Sequence, residues 1–345
     1  MRFHDVHIES FAYVAPERVV TSAAIEARLA PIYERLRLSE GRIELMSGIR
    51  ERRFFEPVLR PSQAAARAGE LALRASDIDR AHIGCLIHAG VCRDHIEPAT
   101  ASFVHRALEL RPACNVFDIS NACLGFTNAM VVVAQMIEAC AIEAALVVAG
   151  ENGEPLIERT IEALLAAPPD ARANRDALKR AYASLTIGSG AAACVLAHSS
   201  IARNPRRLLA AAARAASEHV DLCRGDVDGD GLLMETDSEA LLLAGNTLAQ
   251  ATWTDFERES GWTRADVDRV VTHQVGASHR RLILGSLRLP PERDFPTYET
   301  FGNVGSVSLP LTFACAEEHG FIRPNDRVAL LGIGSGLNCQ MLAVR

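Results

Sequence analysis

The chain has 345 residues, 49% of them hydrophobic and 23% charged, with a net charge of −7. That length can bury a sizeable core as two ordinary domains or one pseudo-symmetric unit. Without any block of Lys or Arg, the charge argues against nucleic acid or an anionic membrane as principal partner.

Strand-like and helix-like runs alternate along the sequence. "IGCLIHAGV" (83–91) reads as a strand, 98–110 as a helix, and "NVFDIS" (115–120) as a strand. A long apolar helix is expected from Leu124 to about Ala139, then a strand at "AALVVAG" (144–150). This order implies βαβ units and a parallel sheet covered on both faces. Residues 151–184 carry helical patterning broken by a Pro-Pro turn, and read as a helical insertion outside the sheet core. Such an insertion could wall a substrate cavity or make a subunit contact. In "RGDVDGDGLLMETD" the acidic residues at 226, 228 and 230, followed by Gly231, imitate a calcium loop. Asp237 stands where a bidentate Glu belongs and no helix pair flanks the segment, so it reads as a solvated loop. Further on, "ADVDRVVTHQVGA" echoes residues 76–90, and "ETFGNVGSVSL", a helix and "VALLGIG" echo 117–150. Asn121 falls on Asn303, Cys123 on Gly305 and Gly150 on Gly332, each pair 182 residues apart. Two diverged copies of one α/β half explain this, with an N-terminal half at 1–185 and a C-terminal half at 186–345.

No stretch approaches the roughly 18 uninterrupted apolar residues of a membrane span. The opening "MRFHDVHIES" is polar where a secretory peptide would be apolar, so a cytoplasmic location is expected. Nine cysteines without C-x-x-C pairs should be mostly reduced and buried, Cys85, Cys114, Cys140 and Cys194 among them. Eleven histidines show no H-E-x-x-H or other ligand spacing, and no metal site is expected. Four stretches can carry chemistry. Cys123 in "DISNACLGF" lies between a strand-like and a helix-like run, where the helix dipole and unpaired N–H groups would favour a thiolate; the plain alternative is a small buried hydrophobe. His273 in "THQVGAS" directly follows an apolar run, on the rim where α/β sheets gather active sites, or simply ends a strand. Asn303 sits in the glycine-flanked "FGNVGS", which alone reads as turn chemistry. The glycines of "GIGSGLN" permit a tight backbone presenting N–H groups.

Together with "SGIRERRF" near residue 50 and "IGSGAAACVLA" at 187–197, these stretches resemble the ketoacyl synthase III branch of the thiolase superfamily over nearly the whole chain. The resemblance implies a thiolase-like five-layered αβαβα fold built from two duplicated halves, and a homodimer. It implies that Cys123 attacks an acyl thioester and holds the acyl group. His273 and Asn303 would hydrogen-bond the second substrate's thioester oxygen as its enolate forms, and the backbone N–H groups of Cys123 and Ser335 would make the oxyanion hole. No cofactor is implied; acyl-CoA or acyl-carrier protein enters as substrate.

Glu97, in "CRDHIEPATAS", stands where fatty-acid-initiating synthases carry an apolar residue. Here the sequence is similar to the head-to-head acyl-condensing enzymes of long-chain olefin biosynthesis, in which such a glutamate reaches across the dimer interface into the partner's site. A simple acyl thioester has no malonyl carboxylate to lose, so its α-carbon must give a proton to a base. The expected reaction is therefore a non-decarboxylative Claisen condensation to a β-keto product. The alternatives are a decarboxylative 3-oxoacyl-carrier-protein synthase III using a malonyl donor, and a non-condensing acyl-binding or heterodimer subunit, which would be expected to lack the nucleophile or the His and Asn pair. The Trp and Arg that clasp the nucleotide just before "GIR" in acyl-CoA-primed relatives fall on Arg42 and Met46, leaving acyl-carrier protein open as donor. Cys92, near Glu97, is the second candidate nucleophile.

Overall fold

The apolar runs form strands whose alternate side chains enter two different cores. The computed structural model describes residues 1–56, 59–168, 170–228 and 231–345. In chain order the strands are β1 (Val6–Val14), β2 (Arg18–Thr21), β3 (Glu51–Phe54), β4 (Ile83–His88), β5 (Asn115–Asp118), β6 (Ala144–Glu151) and β7 (Gly190–His198). They continue with β8 (Leu208–Ala215), β9 (Cys223–Asp228), β10 (Gly231–Thr236), β11 (Arg269–Thr272), β12 (Val328–Gly334) and β13 (Asn338–Val344).

One sheet has the order β1-β7-β6-β4-β5, the other β11-β12-β13-β8. Read from β8, the second repeats β1-β7-β6-β4 of the first, with the same sequence of two antiparallel pairs and one parallel pair. An isolated parallel bridge from Val270 to Asp294 stands where β5 pairs with β4 in the first sheet. The internal repeat is thus a duplicated sheet. The division at 185/186, however, gives the C-terminal half a strand that completes the N-terminal sheet. β7 pairs along its length with both β1 and β6, because "GAAACVLAH" offers small side chains that fit between two faces.

Both faces of each sheet are covered, as expected for apolar parallel strands. Cys85, Ile87, Val147 and Ala149 of the first sheet and Val271, Val328 and Leu330 of the second share one core with helices Gly125–Glu138 and Ser308–Glu318. Their neighbours Leu86, Leu146 and Val148 pack instead on helices Pro61–Ser76 and Thr100–Ala107, and Val270, Ala329 and Leu331 on helices Ser238–Ser260 and Ala277–Leu287. The layers run helix, sheet, helix pair, sheet, helix, which is the five-layered αβαβα arrangement. The expected insertion forms helices Glu154–Ala166 and Ala171–Ala181, which close a separate cluster with helices Ser22–Arg28 and Ala30–Leu36 through Ile157, Ile161, Ile25 and Leu29.

Not every cysteine is buried. Cys85 and Cys194 are, but Cys114 is half-buried and Cys140 is exposed, in the turn that ends the first central helix with φ 54. In the acidic segment β9 and β10 pair as a hairpin, and Asp230 lies outside the described residues. Among the described residues no group of three His, Cys, Asp or Glu could hold a metal ion, and no helix is long and apolar enough to cross a membrane.

Candidate active site

Cys123 lies on an elbow between β5 and the first central helix. Ala122 adopts φ 45, a left-handed conformation uncommon outside glycine, and the Leu124 N–H donates to the Asn121 carbonyl at 2.9 Å. This turn lifts Cys123 out of the chain just before Gly125, whose own position is fixed by close approach: a Cβ there would lie 2.6 Å from the Ala89 carbonyl oxygen. The thiol does not rest as a thiolate. Burial and the nearby Glu151 carboxylate push its pKa to about 12. The sequence reading overlooked that carboxylate.

The C-terminal end of β12 adjoins both Cys123 and His273. A Cβ on Gly334 would sit 3.4 Å from the Cys123 backbone nitrogen, and the His273 N–H donates to the Leu331 carbonyl at 2.9 Å. His273 follows β11 directly, is 3% exposed, and neither ring nitrogen has a hydrogen-bond partner among the described residues. Burial, with His279 close by, lowers its pKa to about 3, so the imidazole is neutral. His279, in the helix that follows, is lowered to about 4 by burial.

Asn303 is held by its backbone. Its N–H donates to Thr186 O at 3.0 Å and its carbonyl accepts from Gly188 N at 2.8 Å. Glycine is required at Gly188, where a Cβ would come 2.0 Å from the Phe301 carbonyl oxygen. The Asn303 side-chain oxygen accepts from Gly305 N at 3.0 Å. Ser335 lies in the turn between β12 and β13; its carbonyl accepts from Asn338 Nδ2 at 3.3 Å.

Two features absent from the sequence reading tie these pieces together. A chain of amides crosses from one half to the other: Asn338 Nδ2 donates to Asn121 Oδ1 (3.3 Å), Asn121 Nδ2 to Asn128 Oδ1 (2.6 Å) and Asn128 Nδ2 to Gln340 Oε1 (3.0 Å). Glu151, the last residue of β6, is 4% exposed and accepts from Val91 N, Cys92 N and Ser306 Oγ. In the sequence it is only a charged residue ending an apolar run, and its partners at 91, 92 and 306 are remote. Cys92 is pushed well above the usual thiol range by burial and by Glu151, and its Sγ contacts the Asn152 carbonyl at 3.5 Å.

Glu97 stands apart from this cluster within one chain. It is exposed, beside Ile96 at 98% exposure, at the apex of the segment joining β4 to helix Thr100–Ala107. The flanks of that apex are fixed: Asp94 accepts from Ser62 N and Oγ, and Asp118 accepts from Thr100 N and Ala101 N. Arg42 and Met46 lie on helix Arg42–Ser47, where Leu45 and Met46 are exposed.

Residues 117–217 match the model of 3-oxoacyl-[acyl-carrier-protein] synthase III, and residues 258–345 that of its C-terminal part. The chain is 40% identical to the acyl-CoA:acyl-CoA alkyltransferase of Shewanella oneidensis over the full length of both. It superposes on the cysteine-to-alanine variant of OleA from Xanthomonas campestris with a TM-score of 0.94 at 36% identity, covering 100% of this chain and 98% of that one. A cysteine-to-serine variant of the same OleA, with bound lauric acid and lauroyl-CoA, gives 0.93 at 36% identity over 99% of both chains.

Proposed function

The chain belongs to the 3-oxoacyl-[acyl-carrier-protein] synthase III family, and from that premise we propose that it joins two acyl thioesters head to head through an acyl-Cys123 intermediate. The observation that carries this reading is full-length likeness to an acyl-CoA:acyl-CoA alkyltransferase in a chain that has Cys123 on the elbow after β5, His273 at the end of β11 and Asn303 in the turn before the second central helix.

In the first step the Cys123 sulfur attacks the acyl carbonyl, the thiol proton passes to the neutral His273 ring, and the CoA thiolate leaves and is protonated. With a thiol near 12 and an imidazole near 3, both groups rest neutral, so the proton moves only as the carbon–sulfur bond forms. The backbone N–H groups of Cys123 and Ser335 hold the tetrahedral oxyanion. In the second step the thioester oxygen of another acyl chain accepts from His273 and from the Asn303 amide, which stabilises the enolate. The partner subunit's Glu97 takes the α-proton. The carbanion then attacks the acyl carbon, the Cys123 thiolate departs and regains a proton, and a β-ketoacyl thioester is released. Exposure of Glu97 and Ile96 on a segment fixed at both flanks supports this trans-subunit role, because a homodimer would bury that apex. Acyl-CoA is the donor favoured by the relatives; acyl-carrier protein would use the same chemistry.

Incubation with acyl-CoA alone, followed by mass spectrometry, tests the reading. A β-keto product without malonyl donor is expected, and strict malonyl dependence overturns it. Glu97→Gln should stop condensation while Cys123 is still acylated. Mixing that variant with Cys123→Ala should restore part of the activity, because one site of the heterodimer then has both groups; demonstrated heterodimers without activity would place Glu97 outside the partner's site.

A further inference from the structure

We propose that Glu151 is a positioning residue for condensation: one buried carboxylate that ties the Asn303 turn, beside this chain's Cys123, to the base of the segment that carries Glu97 toward the partner subunit's site. The inference deepens the reading given under Proposed function and rests on it.

Glu151 Oε1 accepts from Val91 N at 2.8 Å and from Ser306 Oγ at 2.7 Å, and Oε2 accepts from Cys92 N at 3.0 Å. Val91 and Cys92 begin the segment that reaches Glu97, and Ser306 follows Asn303 in the turn that enters the second central helix. The carboxylate also lies against Gly305, where a Cβ would come 3.4 Å from Oε1. It joins no ion pair among the described residues. A buried carboxylate without a cation is costly unless its oxygens are fully hydrogen-bonded, and a hydrophobic side chain of similar volume would fill the same space at lower cost. Three charge-assisted bonds to two separated segments supply that compensation. An amide cannot replace it, because its NH2 end would confront a backbone N–H of Val91 or Cys92.

The geometry also explains why one residue would affect the second step more than the first. Cys123 is placed by its own elbow and by the amide chain from Asn338, neither of which includes Glu151. The base and the enolate donor, by contrast, arrive on the two segments that Glu151 joins. Loss of the clamp therefore leaves the nucleophile in place and lets its partners drift, and displacements near 1 Å can cost on the order of a hundredfold in rate.

The test is Glu151→Gln in the full-length protein, with Ser306→Ala as a milder second variant. Intact-mass acylation of Cys123 by acyl-CoA should hold or rise, because the carboxylate that raises the thiol is gone, while condensation falls by about thirtyfold or more. Ser306→Ala, which removes one of three bonds, should lower condensation by roughly three- to tenfold with acylation unchanged. A purely structural role would lower both steps together, and that parallel loss, or normal condensation in Glu151→Gln, overturns the proposal. Hydrogen exchange gives a readout independent of turnover: the Val91 and Cys92 amides should exchange at least about tenfold faster in Glu151→Gln. Unchanged protection overturns the clamp even if condensation falls. A parent that makes no β-keto product from acyl-CoA, yet shows the exchange effect, refutes the condensation reading and leaves the clamp standing.

Discussion

A resting site in which both the thiol and the imidazole are neutral makes a quantitative prediction for alkylation by iodoacetamide, which consumes thiolate. An ordinary thiol at 9.0 is about one part in a hundred ionised at pH 7, and a thiol at about 12 only about one part in 10⁵. Cys123 should therefore alkylate about a thousandfold more slowly than an unburied thiol, and its rate should rise about tenfold per pH unit from pH 6 to pH 10 without levelling. Acylation by acyl-CoA at pH 7 should nonetheless be rapid, since the proton then leaves in concert with bond formation. Peptide mass spectrometry after timed quenching resolves Cys123 from the other eight cysteines, with Cys123→Ala, which removes only a sulfur, as a folded control. A Cys123 rate that is fast at neutral pH and flat between about pH 6 and pH 8 would reveal a resting thiolate paired with imidazolium, and would refute the neutral-pair argument.

Three further outcomes are expected. His273 is held at about 3 against an ordinary 6.5, so the unfolded chain takes up a proton that the native one refuses; stability is complete above pH 6.5 and is lost as pH falls toward 3, by about 3 kcal/mol at pH 4. His273→Asn should accordingly lose less melting temperature between pH 6.5 and 4 than the parent, and equal losses would refute the assignment. In Gly188→Ala the new Cβ displaces the turn that carries Asn303, and condensation should fall further than acylation, with about 1–3 kcal/mol lost in urea unfolding. Asn338→Ala removes the donor to both Asn121 and Ser335, so first-step acylation should slow by about tenfold. Unaltered acylation would exclude the amide chain from positioning the elbow.

What could be read in the sequence is what local pattern encodes. Cys123 sits between a strand and a helix that each carry their own periodicity, and "THQ" follows an apolar run, so both residues were visible within a window of ten. The repeat was visible because copied strands keep copied spacing. The bounds of the halves were less visible, since β7 is assigned by its partners β1 and β6 and not by its own composition. Glu151 was missed for the same reason at larger scale. Its bonds span 60 residues to Val91 and 155 to Ser306, and nothing local distinguishes a charge that ends a strand in solvent from one that ends it under two loops. The thiol was misjudged because dipole arguments use the neighbouring helix alone, whereas burial and a carboxylate from another strand, close in space but not in sequence, dominate its ionisation.

The pairing of β1 with β7 bears on how the chain is made. Val6 is opposite His198, and the Phe3 N–H donates to Leu209 O in the second sheet. During synthesis β1 must therefore wait through residues 15–189 before the strand that covers its edge leaves the ribosome. Pairings this distant in sequence form late and slowly, and an unpaired apolar strand is prone to pair with another nascent chain in the meantime. The helical insertion, translated just before β7, lengthens that interval. Shortening the insertion helices within residues 154–181 would bring the two edges together sooner, and a faster appearance of protease-resistant nascent chain is the expected result.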